Sequence, residues 1–172
     1  MLKQFYEKVL PSQGVYCVTT IGTDGKVANR FAESLDDVVK FIDEAKDGGQ
    51  NVFVALNTFS GYSRKAEYAQ YCRSFFIDLD VDPENPKKYA TKEAALADLN
   101  DFVTLKELPP PVRIDSGGGI HAYWILDQDI PTEEWKAYAN KFKQLCLDGI
   151  KIDTAVTADA ARVLRCPDTL NY

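Results

Sequence analysis

The chain has 172 residues, a size that fits one domain with a sizeable core. Hydrophobic residues make up 45% of it and aromatic residues 12%, so we expect it to fold. The net charge of −6 argues against a surface that is basic throughout, but it leaves room for the local basic track of a polymerase or nuclease.

The four cysteines are scattered without a C-x-x-C spacing, and the chain has a single histidine. A structural zinc site or a redox motif is therefore not expected, and we interpret the cysteines as reduced thiols. No apolar run approaches the roughly 20 residues that span a bilayer, and the N-terminus lacks the apolar core of a signal peptide. We expect a soluble, cytoplasmic protein with no membrane partner.

The first part of the chain predicts a β-hairpin, a helix and a strand. The hairpin covers GVYCVTTIGTDGKVANRF, where β-branched and aromatic residues flank a turn at residues 23–25. The helix covers SLDDVVKFIDEAKDGG, with Ser34 as its candidate N-cap and Gly48-Gly49 at its end. The segment NVFVALNTF then predicts a single strand.

After an acidic strand, the later elements alternate between strands and helices. They are a helix (ATKEAALADLNDFVTL), a strand, glycine turn and strand (VRIDSGGGIHAYWIL), a helix (PTEEWKAYANKFKQLCLDG) and a short strand (IKIDTAV). This order predicts an α+β fold, α/β-like in places, of mixed β-sheets with packed helices. We predict one domain over residues 1–172, built as one body or as two lobes at about 1–72 and 73–172.

The segment FFIDLDVDP leads apolar residues into three aspartates at alternate positions: Asp78, Asp80 and Asp82. Because side chains alternate between the faces of a strand, the apolar residues between them should enter the core and the aspartates should share the other face. Their Cα atoms would lie about 6.6 Å apart, close enough for carboxylates to converge on a hard cation. A solvated acidic strand edge explains this stretch equally well.

A calcium-binding EF-hand loop is a poor interpretation of the same aspartates. Pro83 stands where that loop needs glycine, and Tyr89 stands where it needs glutamate. The incoming segment is also a predicted strand, whereas an EF-hand requires a helix.

The segment DSGGGIHAYW places a serine and three glycines before the histidine. Three glycines allow backbone N–H groups to converge on an anion and allow a phosphate to approach closely, although a flexible hairpin turn would need no ligand. A single histidine excludes the paired-histidine site of a rolling-circle nickase and an H-E-x-x-H zinc site. A serine hydrolase is poorly supported, because there is no G-x-S-x-G motif.

The C-terminal segment carries a further aspartate and two arginines. Asp153 follows an apolar residue in the short predicted strand, and Arg162 and Arg165 are three positions apart, on one face if this stretch is helical. Planar arginine donors suit phosphate oxygens, but local capping and surface ion pairs explain each residue alone.

The order of these motifs resembles the archaeo-eukaryotic primase superfamily, in particular the primase-polymerase domains of phage and plasmid replication proteins. FFIDLD is similar to the first motif of that family (hhhDhD), SGGGIH to the second (S-x-H), and KID with ARVLRCPDTLN to the third. The resemblance covers about residues 51–172. The chain departs from it at Asp168, where the family usually has glycine, and at Tyr172, where relatives usually continue. We therefore expect the N-terminal part of a longer replication protein.

The resemblance implies a DNA primase-polymerase domain with an RRM-like catalytic core, acting in phage or plasmid replication within a bacterial or archaeal host. It implies template-directed nucleotidyl transfer from NTP or dNTP to a 3′-hydroxyl. The implied partners are a single-stranded DNA template, nucleoside triphosphates and a helicase domain in the same polypeptide or in trans. The implied catalytic and metal-binding residues, for two Mg²⁺ or Mn²⁺ ions and no zinc, are Asp78, Asp80 and Asp153. The implied nucleotide-binding residues are Ser116, Gly117, Gly118, Gly119, His121, Arg162 and Arg165.

A local basic patch precedes the acidic strand, with tyrosines interleaved among its charges. Its basic residues are Arg64, Lys65 and Arg73. Because tracking of a single strand requires a basic groove with stacking aromatics, we predict that these residues contact the template backbone.

Two other functions remain open at this point. One is a non-catalytic module that binds nucleotide or single-stranded DNA, which the aspartate at position 168 favours. The other is a metal-dependent nuclease, which shares the carboxylates but does not explain the serine-glycine-histidine strand together with the two arginines.

Overall fold

The computed structural model describes residues 1–169, so Leu170 and Asn171 of the third motif, and Tyr172, lie outside the described residues. Within that range the chain forms four α-helices and eight β-strands, which confirms the predicted α+β class. The helices are α1 (Leu2–Val9), α2 (Leu35–Asp47), α3 (Lys92–Leu105) and α4 (Thr132–Leu147). The strands are β1 (Tyr16–Ile21), β2 (Val27–Ala32), β3 (Asn51–Ala55), β4 (Asn57–Phe59), β5 (Ala69–Asp80), β6 (Val112–Asp115), β7 (Gly119–Pro131) and β8 (Val163–Arg165).

The chain divides into two compact units, neither of which is a continuous stretch of sequence. The first contains Met1–Ser74, Leu126–Trp135 and residues 160–169. The second contains Phe75–Ile125 and Lys136–Asp159. The long strands β5 and β7 contribute residues to both units.

The first unit contains an antiparallel sheet with the strand order β2-β1-β3-β8. Strands β1 and β2 form the predicted hairpin, and Gly25 in its turn adopts a φ of +76° that favours glycine. Helix α2 packs against β1, β2 and β3. The sequence pattern thus identifies the hairpin and this helix correctly, whereas α1 was not predicted.

The boundaries of α2 follow from its capping residues. The side chain of Ser34 accepts a hydrogen bond from the Asp37 N–H at 3.2 Å, as its assignment as N-cap predicts. Val38, Ile42 and Ala45 are buried at helical spacing, so one face of the helix covers the sheet. The helix ends at Gly48, whose N–H donates to the Glu44 carbonyl.

The prediction of a single strand over NVFVALNTF is wrong. The segment forms β3 and β4, which belong to different sheets: β3 pairs with β1 and β8, and β4 pairs with β5. Residues 54–59 are all buried, so the burial pattern of this run does not indicate where its pairing strand changes. Pairing with distant strands determines where this segment divides.

The second sheet has the strand order β4-β5-β7-β6, and β6 and β7 are antiparallel with Ile114 opposite His121. Within the second unit, residues 75–80 of β5 and 119–125 of β7 contribute to a core that α3 completes. Ile77 and Leu79 are fully buried in it, and the aspartates between and after them are partly exposed. The predicted alternation of β5 is therefore confirmed.

The predicted helix ATKEAALADLNDFVTL forms as α3, which begins two residues later than the predicted segment. The side chain of Thr91 accepts a hydrogen bond from the Ala94 N–H at 3.2 Å, which caps the helix. Ala95, Leu99 and Phe102 are buried, so the capped helix presents its apolar face to the core of the second unit.

All four cysteines are buried, free thiols. Burial raises the pKa of Cys17 to about 11 and that of Cys72, Cys146 and Cys166 to about 12. Among residues 1–169, no helix combines the length and apolar character needed to cross a membrane.

Candidate active site

The acidic residues lie where β5 ends, in the second unit. Asp80 is the last residue of this strand, and buried Leu79 fixes the direction of its neighbours because strand side chains alternate. Asp82 follows the strand, and its carboxylate accepts the Glu84 N–H at 3.1 Å in a local turn. Asp82 therefore belongs to the turn that follows β5.

Asp153 meets this strand through the backbone. Its N–H donates to the Asp78 carbonyl at 2.9 Å, although 75 positions separate the two residues in sequence. The predicted strand IKIDTAV does not form: the Asp153 carboxylate accepts the Ala155 N–H at 2.9 Å, and its carbonyl accepts the Val156 N–H at 3.1 Å. Both bonds close a tight turn, which a strand cannot contain.

His121 lies beside Asp78 on the neighbouring strand β7. Its Nε2 atom is 3.7 Å from Asp78 Oδ1, and its Nδ1 atom is 3.3 Å from the hydroxyl of Tyr123. The side chains of His121 and Asp78 are only 3% and 16% exposed. The histidine and the aspartate therefore form a compact, nearly buried polar pair. The first and second motifs would have to lie this close together to form one site.

The glycine turn is joined to the acidic strand by a close backbone approach. A Cβ atom on Gly119 would lie 2.2 Å from the Leu79 carbonyl oxygen and 3.1 Å from the Asp80 Cα atom. The Val81 N–H also donates to the Gly118 carbonyl at 2.9 Å. Gly119 therefore has a packing requirement of its own, independent of any ligand.

The Gly117 N–H, in the same turn, is already bonded to a carboxylate of the protein itself. Gly117 adopts a φ of +83°, and its N–H donates to the Asp115 carboxylate at 2.8 Å. Lys92 donates to the same carboxylate at 2.7 Å, and this bond, followed by that from Gly117, lowers the pKa of Asp115. An anion that binds to the Gly117 N–H would have to compete with Asp115.

Two lysines near the acids were not identified from the sequence. Lys88 Nζ lies 3.1 Å from Asp80 Oδ2, and its hydrogen bond to that carboxylate raises the pKa of the lysine. Lys151 lines the same cavity as Asp80 and Asp153. The adjacent lysines in DPENPKKY, shortly after the acidic strand, are the sequence signal that could have indicated Lys88.

The chemistry of these groups fits a hard divalent cation. The Asp80 carboxylate already has a cation beside it, the Lys88 ammonium, and carboxylate oxygens are preferred ligands of Mg²⁺ and Mn²⁺. Among residues 1–169, no three carboxylate, imidazole or thiol groups are gathered as a preformed metal cage. Mg²⁺ commonly uses one or two carboxylates and completes its shell with water and substrate phosphates, so this open arrangement suits it.

The two C-terminal arginines lie in the first unit and not on a helix. Arg165 ends strand β8, where its guanidinium donates to Asn51 Oδ1 at 2.8 Å and lies 4.8 Å from the Phe53 ring centre. Burial lowers its pKa. Arg162 immediately precedes this strand. The helical spacing considered for the pair is therefore wrong, because strand pairing with β3 determines the conformation here.

Asp168 adopts a φ of +59°, in the left-handed region that glycine favours. Aspartate tolerates this conformation better than most residues. The backbone at this position therefore has a conformation that glycine would adopt more easily than aspartate.

The predicted basic patch also lies in the first unit, and its members differ in their surroundings. Arg64 donates to the Ala161 carbonyl at 2.6 Å, and Arg73 lies 3.7 Å from the nearly buried Asp129 carboxylate. Lys65 is exposed. Together with Tyr62, which is 67% exposed, Arg64 and Lys65 line a cavity of about 360 Å³. Lys65 is therefore a better candidate for nucleic-acid contact than Arg73.

No protein-family model matches the chain. A Clostridium perfringens protein described as a replication protein is 32% identical over 130 residues, which are 71% of this chain and 29% of that protein. The match therefore spans less than a third of the relative's length.

Solved structures of low sequence identity share the fold. The AEP domain of the cyanophage S-2L primase-polymerase matches with a TM-score of 0.67 at 16% identity, over 96% of this chain and 79% of that one. The primase RepB′ matches with a TM-score of 0.61 at 17% identity, over 99% and 51%. The catalytic domain of RepB′ in complex with initiator DNA matches with a TM-score of 0.54 at 17% identity, over 88% and 67%.

Proposed function

We propose that this chain, which has the fold of the archaeo-eukaryotic primase superfamily, is the DNA primase-polymerase catalytic domain of a replication protein. The observation that carries the proposal is the convergence at the end of β5: the Asp153 N–H is bonded to the Asp78 carbonyl, and His121 lies beside the Asp78 side chain. Residues from three distant motifs thus meet within one unit.

The reaction is the transfer of a nucleotide to a 3′-hydroxyl. The oxygen of this hydroxyl bonds to the α-phosphate of an NTP or dNTP, the hydroxyl proton passes to water, and the bond to the departing pyrophosphate breaks. The carboxylates of Asp78, Asp80 and Asp153 would hold two Mg²⁺ or Mn²⁺ ions. When bound, such ions would lower the pKa of the hydroxyl and stabilise the charge of the leaving group.

The other residues of the proposed site position the substrates. Ser116, His121 and the three glycines, all in the second unit, contact the nucleotide phosphates. Arg162 and Arg165 lie in the first unit, and their expected role in neutralising the triphosphate or the template stays a prediction. Holding the reacting groups in line and neutralising their charge supply most of the barrier reduction in phosphoryl transfer. The near-complete burial of His121 beside Asp78 and the Tyr123 hydroxyl supports a positioning role.

The proposal is tested by nucleotide incorporation on a single-stranded DNA template. We expect the wild-type chain to extend a labelled primer, or to form a dinucleotide, with Mg²⁺ or Mn²⁺ and to lose this activity when the metal is chelated. Both NTP and dNTP pools should be supplied. Template binding without any product would favour the non-catalytic module, and strand cleavage without added nucleotides would favour a nuclease.

Substitution of Lys65 by glutamate is expected to weaken binding of single-stranded DNA. If the lysine neutralises one phosphate, its removal should reduce the slope of log affinity against log salt by about 0.7, because fewer counterions are released on binding. The change can be followed by fluorescence anisotropy of a labelled oligonucleotide across a salt series. The matched control is Lys40→Glu, which reverses the charge of an exposed lysine on α2. If the two variants bind equally well, Lys65 does not contact the template.

A further inference from the structure

A cavity of about 460 Å³ adjoins the proposed catalytic carboxylates within the second unit. Asp80 and Asp153 line it together with lysines at positions 87, 88 and 151. Its volume is in the range of small-molecule binding sites. We propose that this lysine pocket binds the triphosphate of a nucleoside triphosphate, an inference that rests on the proposed function.

Lys151 is held in place by neutral groups. Its ammonium donates to the Pro86 and Lys88 carbonyls at 3.1 and 3.2 Å and lies 5.6 Å from the Tyr89 ring centre. Its backbone N–H donates to the Tyr89 hydroxyl at 3.0 Å. An ammonium group has three N–H donors, and these bonds to carbonyls use two of them. Among residues 1–169 the Lys151 ammonium forms no ion pair with a carboxylate, so it is positioned by neutral groups and suited to bind an anion.

Lys88 is positioned by an ordered turn and by a weak ion pair. The turn closes through the Asn85 N–H to the Asp82 carbonyl at 3.1 Å and the Lys88 N–H to the Asn85 carbonyl at 2.9 Å. The side chains of Lys88 and Asp80 are 37% and 36% exposed, and an ion pair at such exposure is worth little. Lys88 can therefore exchange this carboxylate for phosphate oxygens at small cost.

The remaining lining distinguishes a nucleotide from a simple anion. Leu147, Ile150 and Ile152 supply apolar surface next to the lysines. A sugar or a base would cover this surface more favourably than water does. The carboxylates of Asp80 and Asp153, which also line the cavity, repel a polyanion that carries no metal ion. The ligand expected is therefore the magnesium complex of a nucleoside triphosphate.

Direct binding tests the pocket without requiring turnover. Titration calorimetry with dATP and magnesium should show binding to the wild-type chain and at least about tenfold weaker binding to Lys151→Met and Lys88→Met, because each variant lacks a charge-assisted hydrogen bond. Lys151→Arg, which keeps the charge, should retain most of the affinity. The matched control is Lys143→Met, on α4 outside the pocket, and it should bind as the wild type does.

Circular dichroism and thermal unfolding check that each variant is folded. If Lys151→Met does not fold, Lys88→Met alone decides the matter. Unchanged affinity in every methionine variant that folds, or no binding of the magnesium nucleotide by the wild-type chain, would overturn the proposal.

Two kinetic assays identify which triphosphate the pocket holds. A raised KM in dinucleotide formation alone assigns the pocket to the first nucleotide of a new primer, and a raised KM in primer extension as well assigns it to the incoming nucleotide. If the variants lose binding but the wild type makes no product, the pocket stands and the proposed function fails. If the wild type makes product and the variants bind the nucleotide normally, the proposed function stands and the proposed role of the pocket fails.

Discussion

Replacement of Asp78 by asparagine should lower nucleotide incorporation by about 10³-fold, because it removes a negative charge from the centre of the proposed site. Asparagine has nearly the same shape and can still accept hydrogen bonds from neighbours. Since the Asp78 side chain is only 16% exposed and lies on a strand between buried residues, a substitution that conserves its volume should leave the fold intact.

The assay is incorporation of labelled nucleotide with Mg²⁺ and with Mn²⁺, and circular dichroism reports the fold. The matched control is Asp82→Asn, in the same acidic segment, where the carboxylate accepts the Glu84 N–H in a turn that asparagine can also close. We expect this control to keep its activity within about threefold, as a surface change outside the site should. Full activity of Asp78→Asn would exclude Asp78 as a catalytic residue.

Replacement of Gly119 by alanine should destabilise the protein by about 3 kcal/mol, at the upper end of the cost of overpacking. The added methyl group would lie 2.2 Å from the Leu79 carbonyl oxygen, and this backbone atom cannot rotate away as a side chain can. Relief of the clash requires β5 and β7 to separate where Asp80 is held. The same change should therefore also lower activity.

The matched control for this change is Gly118→Ala, one position away. A Cβ atom on Gly118 would meet no atom within 4 Å, and Gly118 is not among the glycines with a positive φ. Its alanine variant should differ from the wild type by less than about 1 kcal/mol. Urea unfolding followed by circular dichroism measures both variants. Equal stability of the two would show that the close approach of the strands is not the reason for glycine at position 119.

Local features of the chain could be predicted from its sequence wherever the signal is itself local. The alternation of β5 follows from the period of a strand, and α2 begins after its predicted N-cap, Ser34. The hairpin turn could be placed because it needs residues that adopt its backbone angles. The candidate carboxylates were found in the same way, through their spacing and through the order of the motifs.

The places where prediction failed are those that depend on distant partners. NVFVALNTF divides because β3 and β4 pair with different strands, and Arg165 is extended because β8 pairs with β3. IKIDTAV forms a turn at Asp153 although its apolar pattern is that of a strand. The hydrophobic pattern indicates which residues are buried, but it does not indicate which strand pairs with the segment.

Period and composition predict the fold class and the acidic strand from the amino-acid chain alone, and the candidate site residues are predicted from the resemblance of its motifs to those of a known family. Three further features depend on packing: the bond from the Asp153 N–H to the Asp78 carbonyl, the requirement for glycine at Gly119, and the position of Lys88 and Lys151 in the cavity beside the acids. Each of these contacts joins segments separated in the chain by a loop or by several elements. Such contacts are set by how the strands and helices pack, and no local pattern of residues encodes their distances.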